Sequence, residues 1–339
     1  MLERVLAGDR AVLAQAITLV ESTRPDHNER ARELIDACLP HTGKSVRLGI
    51  TGIPGVGKSS FIEALGMHII GERGERIAVL AIDPSSPLSG GSILGDKTRM
   101  PRLGTNDNAF IRPSPSGGAP GGVAAATREA MLLCEAAGFH NVFVETIGVG
   151  QSEVAVASMV DFFLLLMLAG AGDELQGIKR GVLELADLVA FNKADGENRI
   201  PSEAARRQLE SVLTLFPPQP GGWKPPVVTC SARTGDGVAQ IWTTILDHRS
   251  QMTSAGHLEQ KRRRQARQAM HDAIRRALTD SFMRSPEIRS LLPQLERDVM
   301  ESRTSPTAAA QSLLEQWRPR PPAPDSRLPT PDSPPFVLP

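Results

Sequence analysis

Eight consecutive residues in the first quarter of the chain have the types and spacing that hold a phosphate chain. Residues 52–59 read G-I-P-G-V-G-K-S, the G-x-x-x-x-G-K-S pattern of a P-loop. Its glycines let backbone N–H groups turn inward and donate to phosphate oxygens without a Cβ clash. Lys58 can reach the β- and γ-phosphates, and Ser59 can bind Mg²⁺. The nucleoside triphosphate contacts predicted here are Gly52, Ile53, Pro54, Gly55, Val56, Gly57, Lys58, Ser59 and Ser60.

A second group of candidate residues follows the apolar run 141–144. Glu145 ends this run and Gly148 lies three positions later, which is similar to the D-x-x-G element of GTPases. The carboxylate can hold Mg²⁺ through water, and the Gly148 N–H can sense a γ-phosphate. Gln151 lies close behind and is the candidate that positions the attacking water. Lys58, Glu145 and Gln151 are therefore the predicted catalytic residues.

A long loop after the apolar run 76–82 contains two aspartates. Asp83 opens this glycine- and serine-rich loop, and Asp96 lies within it. Long loops inside compact domains tend to be functional. Beside a P-loop, two carboxylates on such a loop suggest a switch close to Mg²⁺.

The sequence 192–195, Asn-Lys-Ala-Asp, indicates which base is bound. Asp195 can accept hydrogen bonds from N1–H and N2–H of guanine, while Asn192 can donate toward the guanine edge. Adenine lacks this pair of donors and would leave the carboxylate unpaired, which is costly. The backbone N–H groups of residues 231–233 can close over the guanine carbonyl. We therefore predict GTP as the nucleotide, with Gly148, Asn192, Lys193, Asp195, Ser231, Ala232 and Arg233 adding to the P-loop contacts.

The elements that position these residues alternate between apolar runs and helical segments. The runs have the composition of buried parallel strands, and the candidate residues follow their ends. This alternation predicts an α/β fold: a P-loop NTPase G domain with a doubly wound, mainly parallel sheet. The predicted strands are 46–51, 76–82, 141–144, 162–168, 187–191 and 226–230.

Helical extensions flank this G domain. In the first forty residues we expect a helix up to a break at 25–27 and a second helix over 30–39. The basic run 261–267 is interpreted as a solvated helix face, because no aromatic residues interleave with it. Amphipathic strips in the C-terminal helices suggest a subunit interface. The predicted parts are an N-terminal extension (1–40), the G domain (41–250), a helical dimerisation arm (251–318) and a proline-rich, disordered tail (319–339).

The composition narrows the possible partners and compartments. The 339 residues include 38 basic and 38 acidic side chains, so nucleic acid is not an expected partner. Three widely spaced cysteines, Cys38, Cys134 and Cys230, are expected to be reduced core thiols. The start of the chain shows no signal-peptide pattern, and the run 162–169 is too short to span a bilayer. We expect a cytoplasmic protein with no membrane partner.

Four longer strings carry a family resemblance. They are D-P-S-S-P from Asp83, G-G-S-I-L-G-D-K-T-R-M from Gly90, E-T-I-G-V-G-Q-S-E from Glu145 and A-G-D-E-L-Q-G-I-K-R-G from Ala171. In these strings the chain resembles the MeaB/ArgK family of G-proteins, the GTPase chaperones of adenosylcobalamin-dependent methylmalonyl-CoA mutase. The resemblance covers about residues 5–318. The segment 116–122, S-G-G-A-P-G-G, departs from the family pattern, and the tail after Pro319 matches no family element.

The resemblance implies a homodimeric GTPase whose hydrolysis is slow alone and faster on the mutase. It implies Mg²⁺ at Ser59 with Asp83, Asp96 and Glu145 near the ion, and switch loops at about 83–105 and 146–155. A third loop, about 170–180, would couple the nucleotide to the mutase through Asp173, Gln176 and Lys179. The implied task is to gate adenosylcobalamin loading, protect the mutase and eject damaged cobalamin, with no cobalamin held by this chain itself.

Two alternatives stay open from the residues. The first is an ATP-dependent kinase or transport ATPase, against which the Asn-Lys-Ala-Asp sequence argues. The second is a metal-inserting GTPase, which needs a cluster of cysteines and histidines. The three isolated cysteines and seven scattered histidines show no such spacing.

Overall fold

Seven parallel strands form one sheet in the parts of the chain that the computed structural model describes, which are residues 1–22, 24–83, 99–115, 120–146, 152–170 and 180–317. The strands are β1 (Val46–Gly52), β2 (Ile77–Asp83), β3 (Ala109–Pro115), β4 (Asn141–Glu145), β5 (Phe162–Met167), β6 (Leu188–Phe191) and β7 (Val227–Thr229). Their order is β3-β2-β4-β1-β5-β6-β7, and every neighbouring pair is parallel. The predicted doubly wound α/β fold is confirmed.

Helices connect these strands and extend the chain at both ends. Within the described residues they are α1 (Leu2–Leu6), α2 (Arg10–Val20), α3 (Pro25–Cys38), α4 (Lys58–Arg73), α5 (Pro101–Gly104), α6 (Pro120–Ala136), α7 (Ser152–Ala157), α8 (Arg180–Leu185), α9 (Arg199–Leu213), α10 (Val238–Ser254), α11 (His257–Arg284), α12 (Pro286–Met300) and α13 (Pro306–Gln316). No helix among the described residues is long and apolar enough to cross a membrane.

Helices cover both faces of the sheet, so its central strands are apolar on both sides. Alternate strand residues belong to different cores: Leu48 and Phe143 pack with α4 and α10, while Val142 packs with α2 and α6. All six residues of β5 are buried. This two-sided burial explains the continuous apolar runs in the sequence. The three cysteines are also buried and free, as expected.

The N-terminal extension is helical, but its helices differ from the prediction. The predicted break at 25–27 is wrong, because α3 begins at Pro25. Proline is accepted in the first turn of a helix, since the N–H it lacks has no helical partner there. Val5, Leu13 and Ile17 are fully buried against the same core as α6. The extension therefore completes one core of the sheet.

Strand β3 was not predicted from the sequence. It contains Pro113 and Pro115, and proline argues against a strand because it cannot donate to the ladder. The sheet order explains how the prolines are tolerated, since β3 is an edge strand paired with β2 alone. Pro120 also begins α6, in the first turn of which proline is accepted.

The strand order brings the candidate residues to one edge of the sheet. β1 lies between β4 and β5, and in the β1–β4 register Ile50 pairs with Glu145. β6 ends at Phe191, directly before Asn192, and β7 ends two residues before Ser231. Since all strands are parallel, these carboxyl ends face the same side.

A buried ion pair fixes the opposite edge of the sheet. Asp161, which precedes β5, accepts from Arg262 of α11 at both oxygens, with Nε–Oδ1 2.8 Å and Nη2–Oδ2 2.6 Å. Arg262 also donates to the Ser45 carbonyl at 2.7 Å, and Arg47 N–H donates to Asp161 at 3.0 Å. Burial raises the pKa of Asp161, but the hydrogen bonds and charge of Arg262 outweigh it and hold the pKa below its usual range.

This ion pair corrects the interpretation of the basic run 261–267 as a wholly solvated face. Arg262 is largely buried on Asp161, and Lys261 donates to the Asp161 carbonyl at 2.7 Å. Arg263 and Arg264 remain exposed. The sequence does not distinguish these arginines, because their neighbours in the chain are equally basic.

The chain divides into two compact units, Met1–Ala269 and Met270–Pro339, the second of which is described up to Trp317. The first unit holds the sheet and the beginning of α11. In the second unit, α12 and α13 pack together and bury Ile288 and Leu313. The rings of Phe282 and Trp317 meet edge to face, with centroids 5.6 Å apart.

Replacing Arg262 by alanine is expected to lower the free energy of unfolding by about 3–5 kcal/mol, because Asp161 would remain buried without its cation. The neighbouring substitution Arg263→Ala is the matched control. Arg263 pairs with Glu259 at an exposed position, so its loss should cost at most about 0.5 kcal/mol. Urea unfolding of both variants measures the difference, and equal shifts of the midpoint would refute a structural role for the buried pair.

Candidate functional site

Two glycines of the P-loop are required by close approach and backbone conformation. Gly52 has φ +151°, and a Cβ there would lie 2.4 Å from the Leu166 carbonyl oxygen of β5. Gly57, which precedes α4, has φ +90°, and its Cβ would lie 2.9 Å from Nδ2 of Asn192. Side chains are disfavoured at such φ values. The loop is therefore pressed against β5 and the base-recognition residues.

Lys58 reaches back over the P-loop from the first turn of α4. Its Nζ donates to the carbonyl oxygens of Gly52 at 2.7 Å and Ile53 at 3.1 Å, and only 9 % of the residue is exposed. Burial lowers its pKa, while the charges of Glu145 and Glu153 act in the opposite direction. The amine thus lies within the loop whose amides are expected to hold the phosphates.

The side chains of Ser59 and Glu145 meet at the ends of β1 and β4. Ser59 Oγ donates to Glu145 Oε1 at 3.0 Å, and Glu145 is 8 % exposed. A hydroxyl and a carboxylate are the hard oxygen ligands that Mg²⁺ takes beside substrate phosphates. Both residues therefore fit the predicted metal site in their chemistry and in their position beside the P-loop.

The threonines that flank this pair hold β4 against β1. Thr146 Oγ1 donates to Thr51 Oγ1 at 2.6 Å, and the Thr146 N–H donates to the Ile50 carbonyl at 3.0 Å. Thr146 is fully buried. The bond fixes the backbone next to Glu145, and sequence reasoning did not identify it.

Asn192 links the phosphate and base parts of the site. Its Nδ2 donates to the Val56 carbonyl of the P-loop at 2.9 Å, and its Oδ1 accepts from Ala232 N–H at 3.1 Å. One N–H of the amide and its oxygen are therefore bonded within the protein, and the donation toward guanine stays a prediction. Lys193 has φ +59° and donates from Nζ to the Gly55 carbonyl at 2.8 Å, so it too contacts the P-loop.

The carboxylate of Asp195 is held by two side chains of the loop after β7. Ser231 Oγ donates to Oδ2, and Arg233 Nη2 donates to Oδ1 at 2.5 Å. Ser231 is fully buried, whereas the Arg233 side chain is exposed. Sequence reasoning did not predict these two side-chain contacts on Asp195.

The remaining predicted residues lie at different places. Pro54 and Ser60 are exposed at the loop and the first turn of α4. Asp83 is the last residue of β2, so its backbone lies at the carboxyl edge beside β4. Six predicted residues lie outside the described ranges: Asp96, Gly148, Gln151, Asp173, Gln176 and Lys179. Among the described residues, no three His, Cys, Asp or Glu side chains form a group that could hold a metal ion.

Several side-chain bonds of the site escaped sequence reasoning, among them Asn192 to Val56, Ser231 to Asp195 and Thr146 to Thr51. A sequence motif identifies the position of a functional residue, but it does not reveal which distant residue that side chain contacts in the fold. The one available signal is polarity: Ser231 and Thr146 are hydroxyl residues next to apolar strands, where a buried hydroxyl needs a partner.

Comparison with known proteins agrees with this site. The family described as methylmalonyl-CoA mutase-associated GTPase MeaB matches residues 13–287. A probable GTPase of Mycobacterium tuberculosis is 55 % identical over 311 residues, which are 92 % of this chain and 92 % of that protein. The mouse protein named methylmalonic aciduria type A homolog, mitochondrial, is 44 % identical over 326 residues, covering 93 % of this chain and 78 % of its own.

A solved structure supports the same relationship in three dimensions. The crystal structure of an LAO/AO transport system kinase aligns with a TM-score of 0.73 at 39 % identity, and covers 93 % of this chain and 95 % of that one. The family match spans most of the sequence, including the P-loop, Glu145 and Asp195. The resemblance seen in the sequence is confirmed: the chain belongs to the MeaB family of methylmalonyl-CoA mutase-associated GTPases.

Proposed function

We propose that the protein binds GTP, hydrolyses it slowly to GDP and phosphate, and uses this cycle as a chaperone of an adenosylcobalamin-dependent acyl-CoA mutase. The observation that carries the nucleotide part is the Asp195 carboxylate, held by Ser231 and joined to the P-loop through Asn192. The mutase part is supported by the family description and by the mouse relative's name.

Base selection follows from charge and hydrogen bonding at Asp195. The carboxylate offers acceptors to N1–H and N2–H of guanine, and charge-assisted bonds of this kind are strong. Adenine presents no matching pair of donors, so its binding would desolvate the carboxylate without compensation. Asn192 fixes the distance between the P-loop and the loop after β7 (residues 230–237, here called the base loop). Binding of the base therefore sets the position of the nucleotide's phosphates on the P-loop.

Hydrolysis needs charge stabilisation and an oriented water more than covalent chemistry. Lys58 and the P-loop amides supply donors to the β- and γ-phosphate oxygens. Ser59 and Glu145 would hold Mg²⁺, which neutralises negative charge on the phosphates when bound. We assign the water-positioning role to Gln151, and partner contacts completing the site would account for slow turnover of the isolated protein.

The same proposal gives the chain a role in cofactor handling. GTP state would gate adenosylcobalamin transfer to the mutase and protect or reactivate that enzyme. The coupling residues in this proposal are Asp173, Gln176 and Lys179. The chain holds no cobalamin itself.

A homodimer is also part of the proposal, formed through the helical arm. In the second compact unit, Met270, Ile274 and Leu278 recur every four residues along α11 and are each about half exposed. Such a stripe on a surface helix would be covered by the same stripe of a second copy in a two-fold interface.

The guanine assignment predicts that Asp195→Asn weakens GTP binding about 100-fold, because two charge-assisted bonds are lost. The same variant should gain binding of XTP, since the asparagine amide can donate to the C2 carbonyl of xanthine. Asp236→Asn is the matched control in the neighbouring loop after β7, where the acid accepts from Thr234 Oγ1 at 2.8 Å and faces solvent. Competition against a fluorescent guanine nucleotide measures the affinities of the wild type, of Asp195→Asn and of Asp236→Asn for GTP and XTP. Equal binding of ATP and GTP by the wild type would instead support the kinase alternative.

The chaperone assignment predicts that steady-state GTP hydrolysis is slow alone and rises several-fold when the mutase from the same source is added. Lys58→Ala should reduce phosphate release at least about 100-fold with or without mutase, because a phosphate-contacting charge is lost. An acyl-CoA mutase that has been heat-denatured serves as the control addition. An unchanged rate with native mutase would remove the proposed partner while leaving the GTPase assignment intact.

The dimer assignment predicts that Ile274→Glu converts the protein to a monomer at micromolar concentration, because a charge would be buried in the interface. Thr279→Glu is the matched control: it adds the same charge to the same helix, roughly 140° around it from Ile274. Light scattering after size exclusion measures the mass of each variant. A monomeric wild type, or a dimer that survives Ile274→Glu, would contradict this interface.

A further inference from the structure

The two side chains that hold Asp195 approach it from different environments. Ser231 donates to Oδ2 from a fully buried position. Arg233 donates to Oδ1 at 2.5 Å from a side chain that is 76 % exposed, while the Asp195 side chain itself is 17 % exposed. One partner therefore belongs to the protein interior, and the other reaches the carboxylate from its solvent side, where a base must arrive.

The backbone beneath Arg233 is fixed. Ala232 N–H donates to Asn192 Oδ1 at 3.1 Å, and Ser231 N–H donates to the Asp236 carbonyl at 2.9 Å. Ala194 N–H in turn donates to the Cys230 carbonyl at 3.0 Å, which joins the two loops directly. Because both loops are held, the long side chain of Arg233 is the part that can leave Asp195 without moving the site.

We propose that Arg233 competes with guanine for the Asp195 carboxylate and thereby weakens guanine-nucleotide binding. This inference rests on the proposed function, since it assumes that Asp195 recognises guanine. The guanidinium engages one of the two oxygens that N1–H and N2–H require, and its charge reduces the pull of the carboxylate on both donors. Ser231 does not compete in this way, because it bonds the inner oxygen from within the protein.

The competition is expected to be weak because the Arg233 side chain is exposed. An ion pair with one partner this exposed contributes little in water, so its release costs about two- to fivefold in affinity. Only the fraction of molecules with Arg233 turned away is ready for the base, which reduces the apparent affinity by that fraction. Arg233 would thus slow nucleotide association and leave dissociation from the filled site nearly unchanged.

Binding of a fluorescent GDP derivative to Arg233→Ala tests the proposal in the full-length protein. We expect about two- to fivefold tighter binding than in the wild type, expressed mainly as faster association. The difference should shrink at about 1 M salt, where the exposed pair is screened. Arg207→Ala is the control, because Arg207 forms an exposed pair with Glu203 on α9 and should leave GDP binding unchanged. Unchanged or weaker GDP binding by Arg233→Ala would overturn the proposal.

A double-mutant cycle shows whether the effect passes through Asp195. In an Asp195→Asn background no ion pair can form, so Arg233→Ala should not change the affinity for XDP. Tighter XDP binding on adding Arg233→Ala would overturn the competition mechanism. Binding of ADP separates this inference from the function it rests on. If the wild type binds ADP and GDP with equal affinity, guanine recognition itself is refuted. If the wild type prefers GDP but Arg233→Ala does not change GDP binding, only the competition is refuted.

Discussion

The site depends above all on the side-chain amide of Asn192. Its two hydrogen bonds join Val56 of the P-loop to Ala232 of the base loop, although β1 and β7 are separated in the sheet by β5 and β6. Asn192 is 2 % exposed, so a lost partner would leave a buried polar group unsatisfied at a cost of about 1–3 kcal/mol. Phosphate and base contacts are thus parts of one hydrogen-bonded unit.

The strands that carry this unit are fixed at their other ends by buried charge. Asp161 precedes β5 and Asp187 precedes β6, and Lys261 Nζ lies 2.7 Å from the Asp161 carbonyl and 3.7 Å from the Asp187 carboxylate. The Asp187 carboxylate also accepts from Phe163 N–H at 2.8 Å. β6 therefore begins at an ionic contact and ends at Asn192, so strand register and base recognition depend on the same short element.

The sequence allows the fold class and most site positions to be predicted, because both depend on local patterns. The apolar runs identify β5 and β6, and the spacing from Gly52 to Ser59 identifies the P-loop. Strand β3 was missed because its prolines are acceptable only at a sheet edge, which a single segment does not reveal. The bonds from Asn192 to Val56 and from Arg262 to Asp161 were missed for a related reason: each joins residues more than 90 positions apart.

These long-range bonds also determine how the beginning of α11 is joined to the G domain. Gln265 Nε2 donates to the Val160 carbonyl at 2.9 Å, and Arg128 of α6 donates to the Gln265 carbonyl at 3.2 Å. Val160 lies between α7 and β5, three residues after the end of α7. A displacement of this connection must either carry the first turns of α11 with it or break buried hydrogen bonds. Since the Gln265–Val160 bond is buried, breaking it would leave polar groups unsatisfied at a cost of about 1–3 kcal/mol, which ties the first turns of α11 to the segment before β5.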